Sequence, residues 1–312
     1  MNRVTWIVVL TGFVLWACDD DEVKTDVEPD VSETVDQETT QPDEDMAQPD
    51  EDTAQPDEDT AQPDEDTMQP DDNDGEQVEP ITGFIADHRA PAAFDTIPAA
   101  TFDTVRSGYH IYYGHTSHGS QLVTGMEMLA AEDASTYALP PMHEPGGDLG
   151  HNGDLAWEQS TRSYLSQHPE TNLVIWSWCG GCSDNDEEGI NTYLNAMNQL
   201  ELDFPNVRFV YMTGHLDGSG AADGDNLRAN NQRIRTYCQQ NNKVLFDFED
   251  LESYDPAGQY YVDETDACGW CSTWCASHDC PSCSDCAHSH CFNCYQKGKA
   301  FWWLLARLSG WE

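Results

Sequence analysis

The amino-acid sequence predicts an α/β fold: a three-layer α/β/α sandwich with a parallel sheet, built by residues 83–312. Short apolar runs bounded by turn residues have the length of strands that are buried on both faces, as in parallel sheets. Longer segments with helical periodicity separate these runs, and strands that alternate with helices form parallel sheets through right-handed crossovers. In such sheets, reactive groups gather beyond the carboxyl ends of the strands.

Four strands and five helices follow from these patterns. We expect the first strand in the β-rich run that ends the segment 105–113 and stops at Gly114, and further strands at 172–178, 207–212 and 243–248. We expect the helices at 121–132, 155–167, 190–202, 226–240 and 296–308. A cysteine-rich segment, residues 266–294, precedes the last helix, and we interpret it as an insertion in the domain.

The N-terminus resembles a bacterial lipoprotein signal. Arg3 precedes an apolar stretch that is too short to remain in a bilayer. The stretch ends in Leu15-Trp16-Ala17-Cys18, after which acidic residues begin. We therefore expect residues 1–17 to be removed and Cys18 to be the lipid anchor of an exported protein at the outer membrane or cell surface. An ordinary signal peptide with an incidental cysteine is the alternative.

Residues 18–82 form an acidic, disordered tether in this interpretation. Residues 19–80 hold 27 acidic side chains and one base, Lys24, and a Gln-Pro-Asp motif recurs every seven residues from Gln41 to Gln69. A segment this polar buries too little apolar surface to fold, and its charges repel one another. The whole chain has a formal net charge of −45, which excludes nucleic acid as a partner because nothing would replace the counterions of the phosphates.

The first predicted strand ends in a motif with a candidate nucleophile, Gly114-His115-Thr116-Ser117-His118-Gly119. Ser117 would lie at the junction between this strand and the following helix, where backbone N–H groups and the helix dipole favour a developing negative charge. The simpler interpretation is that Ser117 caps this helix. The flanking glycines favour the nucleophile, because a substrate approaches closely where side chains are missing.

Two glycine turns are candidates for an oxyanion hole. One is Cys179-Gly180-Gly181-Cys182, after the strand at 172–178, and the other is the glycine-rich segment 146–153. The candidate hydrogen-bond donors are the amides of Gly153 and Gly180 and the side chain of Asn152, with Asn185 as a further candidate. Either segment could also be an ordinary tight turn.

A general base is expected just before the last helix. Asp285 precedes His288 by three residues, so its carboxylate could fix the imidazole tautomer and leave Nε2 as the base. His215 and Asp217 form an alternative pair after the strand at 207–212. His288 and His290 also lie among cysteines, where they could be metal ligands.

Eight of the 12 cysteines lie between Cys268 and Cys294, several of them in C-x-x-C steps. Disulfides are the default in an exported protein, whereas the same spacing would suit zinc in a reducing compartment. We therefore expect most of this cluster to be oxidised and to hold the His288 loop rigid. We expect no metal and no cofactor.

Taken in chain order, these motifs resemble the SGNH/GDSL hydrolase superfamily, which has a flavodoxin-like sandwich, over most of residues 105–309. The resemblance implies Ser117 as the nucleophile, His288 as the base and Asp285 as its partner. It also implies an oxyanion hole that combines Ser117, a glycine matched loosely by Gly153, and an asparagine. Two motifs depart from the family, because Gly-His-Thr-Ser replaces Gly-Asp-Ser and Cys-Gly-Gly-Cys replaces Gly-x-Asn-Asp.

The resemblance implies a surface-tethered serine esterase that hydrolyses acyl esters, with carbohydrate O-acetyl esters as a candidate substrate class. We expect a monomer whose membrane contact is the lipid anchor alone. The departures from the family motifs leave two alternatives open. One is a non-catalytic surface binding module on the same fold, and the other is a zinc protein in which the Cys/His cluster is the functional element.

Overall fold

The structure, a computed structural model, describes residues 82–218 and 224–312. The predicted signal peptide and Cys18 lie outside these residues, as does the acidic tether up to residue 81. Among the described helices, none is both long enough and apolar enough to cross a bilayer.

The described residues form one parallel sheet of six strands in the order β1-β6-β5-β4-β2-β3. The strands are β1 (Ile85–Ala86), β2 (Ile111–Gly114), β3 (Met142–His143), β4 (Leu173–Trp176), β5 (Arg208–Met212) and β6 (Val244–Phe246). Ile111 of β2 pairs with Met142 on one side and with Leu173 on the other. The chain therefore runs from β2 to the edge strand β3 and then returns to β4 on the opposite side of β2. This reversal opens a crevice at the carboxyl ends of β2 and β4.

Helices cover both faces of the sheet. They are α1 (Ala90–Ala93), α2 (Ala99–Gly108), α3 (Ser117–Glu132), α4 (Ala134–Tyr137), α5 (Ala156–Leu165), α6 (Gly181–Asp184), α7 (Glu187–Asp203), α8 (Gly224–Gln240), α9 (Phe248–Ser253), α10 (Gly269–Cys275) and α11 (Cys291–Leu308). Helices α2, α3 and α11 pack into one hydrophobic core and α5, α7 and α8 into another. The three-layer α/β/α fold predicted from the sequence is confirmed.

Alternating side chains of each central strand enter the two cores. In β4, Leu173 and Ile175 join the core with α3 and α11, whereas Val174 and Trp176 join the core with α5 and α7. Both faces of the strand are thus removed from water, which is why its sequence is a continuous apolar run.

The strand predicted at the end of the segment 105–113 is confirmed as Ile111–Gly114. The start of that segment, including Val105, lies in α2. Val105 and Phe102 are both buried on one face of α2, so their spacing of three residues belongs to a helix. The sequence patterns also missed β1 and β3, because a strand of two residues has no periodicity to detect.

The cysteine-rich segment is held by four disulfides among the described residues. The pairs are Cys268–Cys271, Cys275–Cys280, Cys283–Cys291 and Cys286–Cys294. The predicted oxidation of this cluster is confirmed, and these eight cysteines offer no thiolate ligand to zinc because each sulfur is part of a disulfide. Cys182 and Cys238 are buried free thiols.

Helices α3 and α11 cross at two glycines. A Cβ atom at Gly125 would overlap the carbonyl oxygen of Cys294, and one at Gly298 would overlap the backbone of Gly125. The helix that begins at Ser117 and the helix that follows His288 therefore touch backbone to backbone.

Candidate active site

Ser117 is the first residue of α3 and lies where the chain leaves β2, at the crevice of the sheet. Its Oγ atom lies 3.6 Å from Sγ of Cys179, which follows the neighbouring strand β4. Gly119 makes this approach possible, because a Cβ atom there would overlap Ser177 Oγ and His115 Cβ. The first turn of α3 therefore lies directly against the end of β4, with a hydroxyl near the N-terminus of a 16-residue helix.

His118 is the centre of a cluster of side chains beside Ser117. It is 6% exposed, its Nδ1 lies 3.3 Å from Cys179 Sγ and its Nε2 lies 3.0 Å from Asp266 Oδ2. The ring stacks on His215 at a centroid distance of 3.9 Å and on His288 at 4.5 Å, with interplanar angles of 13° and 16°. The three imidazoles are therefore nearly parallel, and His118 contacts both of the others.

The charges in this cluster follow from burial and from Asp266. Burial lowers the pKa of His118 to about 4 and outweighs the hydrogen bond with Asp266, so His118 is a neutral imidazole at neutral pH. Burial alone would raise the pKa of Asp266, but the hydrogen bond with His118 and the neighbouring histidines lower it. Asp266 is therefore an ionised carboxylate beside neutral His118.

The alternative pair His215 and Asp217 is formed, at the buried end of the cluster. His215 Nε2 lies 3.2 Å from Asp217 Oδ1, and His215 is 6% exposed. Burial opposes protonation of His215, but Asp217, Glu252 and Asp266 outweigh it and raise the pKa of His215. A buried imidazole of this kind is out of reach of a substrate.

His288 is the exposed member of the three imidazoles. Its backbone lies in the left-handed region, with φ of 61°, inside a turn in which Ser289 N–H donates to Cys286 O at 2.8 Å. Gln121 Nε2 of α3 donates to the neighbouring Ala287 O at 2.6 Å. The turn, the Cys286–Cys294 disulfide and the hydrogen bond from Gln121 hold this loop in place, so that the imidazole of His288 lies against His118.

Asp285, the predicted partner of His288, is exposed, and within the described residues no hydrogen bond joins the two side chains. The carboxylate that lies close to His288 is that of Asp266: ligand atoms of His118, Asp266 and His288 all lie within 4.8 Å of one another. Sequence reasoning missed His118 and Asp266 as site residues. The Gly-His-Thr-Ser motif after β2 pointed to Ser117 alone, and Asp266 belongs to no local motif.

Asn185 holds the glycine-rich segment 146–153 in place. Its Nδ2 donates to Gly150 O at 2.9 Å and its Oδ1 accepts from Gly153 N–H at 2.6 Å. The amide of Gly153 is therefore already used, and Asn152 is an exposed residue with φ of 50°. Gly180, which adjoins Cys179, donates no backbone hydrogen bond within the described residues, so its amide, unlike that of Gly153, is available to a substrate oxygen.

A buried ionic network lies under the site. Lys297 of α11 donates from Nζ to Glu252 Oε1 at 2.6 Å and to Gln121 Oε1. Glu252 Oε2 accepts the backbone N–H of Leu216, the neighbour of His215, at 2.9 Å. Burial lowers the pKa of Lys297 and raises that of Glu252. The network ties α3, α9 and α11 to the loops that carry His215 and His288.

Several tryptophans that could otherwise stack on a sugar ring lie in the cores, because Trp176, Trp178 and Trp270 are buried. Trp274 stacks on His278 at 3.8 Å and lines a groove of about 580 Å³ together with Tyr295. Neither Ser117 nor His288 lines this groove.

No protein-family model matches the chain, and no curated protein is similar to it. Among solved structures, the chain is similar to a "putative acylhydrolase" from Bacteroides fragilis, with a TM-score of 0.34 and 10% identity over 53% of this chain and 82% of the other. It is also similar to TubZ of Clostridium botulinum phage c-st, with a TM-score of 0.31 and 11% identity over 47% of this chain and 53% of TubZ. These are distant, partial similarities of fold, and neither bears on the activity of this chain.

Proposed function

We propose that this protein hydrolyses acyl esters, with Ser117 as the nucleophile and His288 as the general base. The observation that supports this function is a serine hydroxyl at the N-terminus of α3 beside three stacked imidazoles, of which one is exposed. The ionised carboxylate of Asp266 lies in the same cluster. A nucleophile, a base and an anionic group that stabilises the protonated base are the parts that acyl transfer needs.

In the proposed reaction, Ser117 Oγ attacks the carbonyl carbon of the ester while its proton passes to the imidazole of His288. The imidazolium returns this proton to the leaving alcohol, and the acyl group remains on Ser117 as an ester. A water molecule then attacks that ester and gives its proton to His288. Collapse of the second tetrahedral intermediate releases the carboxylic acid and restores the Ser117 hydroxyl.

Two groups support the negative oxygen of the tetrahedral intermediates in this proposal. The first turn of α3 carries the partial positive charge of a helix N-terminus. The amide of Gly180 follows Cys179, whose sulfur contacts Ser117 Oγ, and it donates no backbone hydrogen bond within the described part of the chain. Both groups are fixed backbone dipoles, which need no reorganisation when charge develops.

The proposed role of Asp266 is to stabilise the imidazolium of His288 through its negative charge. Asp266 also holds His118, on which the His288 ring stacks. The Asp-x-x-His motif assigned this role to Asp285, and variants of the two carboxylates distinguish the assignments. Asp266→Asn removes the charge from inside the cluster, whereas Asp285→Asn removes a charge from an exposed loop.

We also propose export with a lipid anchor at Cys18 and an acetylated glycan as the natural ester. The disulfides of the cysteine-rich segment support export, because such bonds persist in oxidising compartments. A labelled fatty acid should enter the wild-type protein and should be lost from Cys18→Ala. Release of acetate from acetylated xylan or chitin tests the substrate class.

The test of the activity is hydrolysis of p-nitrophenyl acetate by the full chain. Ser117→Ala and His288→Ala should each lower kcat/KM by about 10³-fold or more, and the double variant should lose little beyond either single variant because the residues act as one unit. Ser120→Ala is the matched control: it removes a hydroxyl one turn along α3 that donates to Ser117 O at 2.6 Å. It should retain activity within a few-fold.

Three outcomes would contradict parts of this proposal. Well-folded wild type that hydrolyses no acyl ester removes the enzyme function and leaves the non-catalytic binding module. Full activity in Ser117→Ala with loss in Ser120→Ala moves the nucleophile. A strong loss in Asp285→Asn with full activity in Asp266→Asn returns the orienting role to Asp285.

A further inference from the structure

The cluster of His118, Asp266 and His288 has the composition of a metal site. Each residue offers one ligand atom, and the three atoms lie within 4.8 Å of one another. Two imidazoles and one carboxylate are a ligand set that zinc and related divalent ions use in proteins. The set combines a buried, an intermediate and an exposed residue, so it is reachable from solvent on the side of His288.

We infer that His118, Asp266 and His288 bind one divalent transition-metal ion of the zinc class, and that the occupied site withdraws His288 from catalysis. The second half of this inference rests on the proposed function. The first half rests on the geometry of the three side chains alone.

The distances fit such an ion. His118 Nε2 and Asp266 Oδ2 are 3.0 Å apart, close to the separation of about 3.3 Å between two tetrahedral ligands with bonds of 2.0–2.1 Å. The turn and the disulfide hold the backbone of His288, and rotation of its exposed side chain can bring a ring nitrogen to the ion. His118 has little freedom, because it stacks on buried His215 at 3.9 Å.

The hydrogen bonds of His118 also fit. Without metal, its Nε2–H donates to Asp266 Oδ2. To bind metal through Nε2, the ring must carry its proton on Nδ1, and the disulfide-bonded Sγ of Cys179 lies 3.3 Å from that atom as a weak acceptor. A partner for the second nitrogen is a regular feature of metal-bound histidine, because it fixes the tautomer and the ring orientation.

A second cluster consists of Asp87, His88 and Asp250, whose ligand atoms also lie within 4.8 Å of one another. Arg89, however, donates from Nε to both carboxylate oxygens of Asp87, at 3.0 and 2.9 Å. A metal there would have to displace the guanidinium, whereas no arginine or lysine of the described residues forms an ion pair with Asp266. His88→Ala is therefore the matched control for the site at His118.

The experiment is equilibrium dialysis of the full, non-reduced chain against micromolar zinc, with zinc counted by elemental analysis. Wild type should bind one equivalent more than His118→Ala, Asp266→Asn and His288→Ala, and as much as His88→Ala. The acidic tether is common to all variants, so its weak binding cancels in the comparison. Equal zinc in wild type and the three variants, or loss in His88→Ala alone, would overturn the site.

Activity is the second readout, measured on p-nitrophenyl acetate with the same dialysed samples. Saturating zinc should lower the wild-type rate at least tenfold, and a chelator should restore it. If zinc binds at the three residues without lowering the rate, the bound ion does not prevent His288 from acting as the base, and that half of the inference is refuted. Zinc binding by a wild type that hydrolyses no ester would support the metal site and reject the proposed function, so the two failures are distinguishable.

Discussion

Replacing Lys297 by methionine tests whether the buried ionic network supports the site. Lys297 and Glu252 are both 0% exposed and form an ion pair at 2.6 Å. Methionine keeps the length of the lysine side chain but removes its charge and its donors. Glu252 would then keep the N–H of Leu216 as a partner for Oε2 and have no cation for Oε1.

The expected loss is large, because a buried charge without its partner is poorly solvated. Removing one member of a buried ion pair costs about 3–5 kcal/mol. The Lys297 ammonium also lies 3.6 Å from the centroid of the Phe248 ring, and Gln121 Oε1 would lose a donor. The energies of these contacts are not additive, because all of them belong to one network around Lys297. We therefore expect Lys297→Met to lower the free energy of unfolding by about 3–5 kcal/mol at pH 7.

The loss should depend on pH with a definite sign. Burial raises the pKa of Glu252, and the charge of Lys297 opposes that rise, so Lys297→Met raises the pKa of Glu252 further. A raised carboxyl pKa means that the folded state holds the proton longer than the unfolded chain, and stability falls as pH rises. The loss of unfolding free energy in Lys297→Met should therefore be small below about pH 4.3, the pKa of an ordinary glutamate, and should increase as the pH rises above that value.

Urea denaturation of the disulfide-intact protein measures this effect. Adding Glu252→Gln to Lys297→Met should restore most of the loss at pH 7, because glutamine removes the unpaired charge and keeps an oxygen for Leu216 N–H. Lys299→Met is the matched control, since Lys299 pairs with exposed Asp95 at 3.4 Å and such pairs contribute about 0–1 kcal/mol. A loss below about 1 kcal/mol in Lys297→Met, or a double variant as unstable as the single one, would refute the electrostatic reasoning.

Two further predictions follow from the packing. Gly298→Val should destabilise the fold by about 1–3 kcal/mol or more, since any Cβ there overlaps the backbone of Gly125; an unchanged urea midpoint would show that α3 and α11 separate without cost. Cys182 and Cys238 should resist iodoacetamide at pH 8, because burial raises the pKa of both thiols, and should react after denaturation without reductant. Alkylation of either thiol in the native protein, measured by peptide mapping, would contradict their burial.

The fold was predictable because its signals are local. The core strands β4 and β6, and β5 after Arg208, are apolar on both faces and form continuous apolar runs in the sequence. Helices α5, α7 and α8 repeat their buried residues with helical spacing. Alternation of the two patterns is sufficient to indicate a parallel sheet between helices. The edge strands β1 and β3 carried no such signal, since each has two residues.

The candidate site was predictable only in part. Ser117 could be found because a parallel strand directs its following loop to the functional edge of the sheet. His118, the next residue, could not be identified in the same way, because no local sequence feature shows that its ring is buried. The bond from His118 to Asp266 spans 148 residues. Such a contact depends on how the chain returns from α9 through α10, and no spacing rule encodes that path.

The choice between Asp285 and Asp266 shows how a local pattern misleads at this site. An Asp-x-x-His spacing brings carboxylate and imidazole together only if the intervening residues form a suitable turn. Here the turn is shaped by the disulfides Cys283–Cys291 and Cys286–Cys294, and His288 takes a left-handed backbone conformation. The ring therefore points to His118 and Asp285 stays exposed, so a carboxylate distant in sequence occupies the place that the motif assigned to its neighbour.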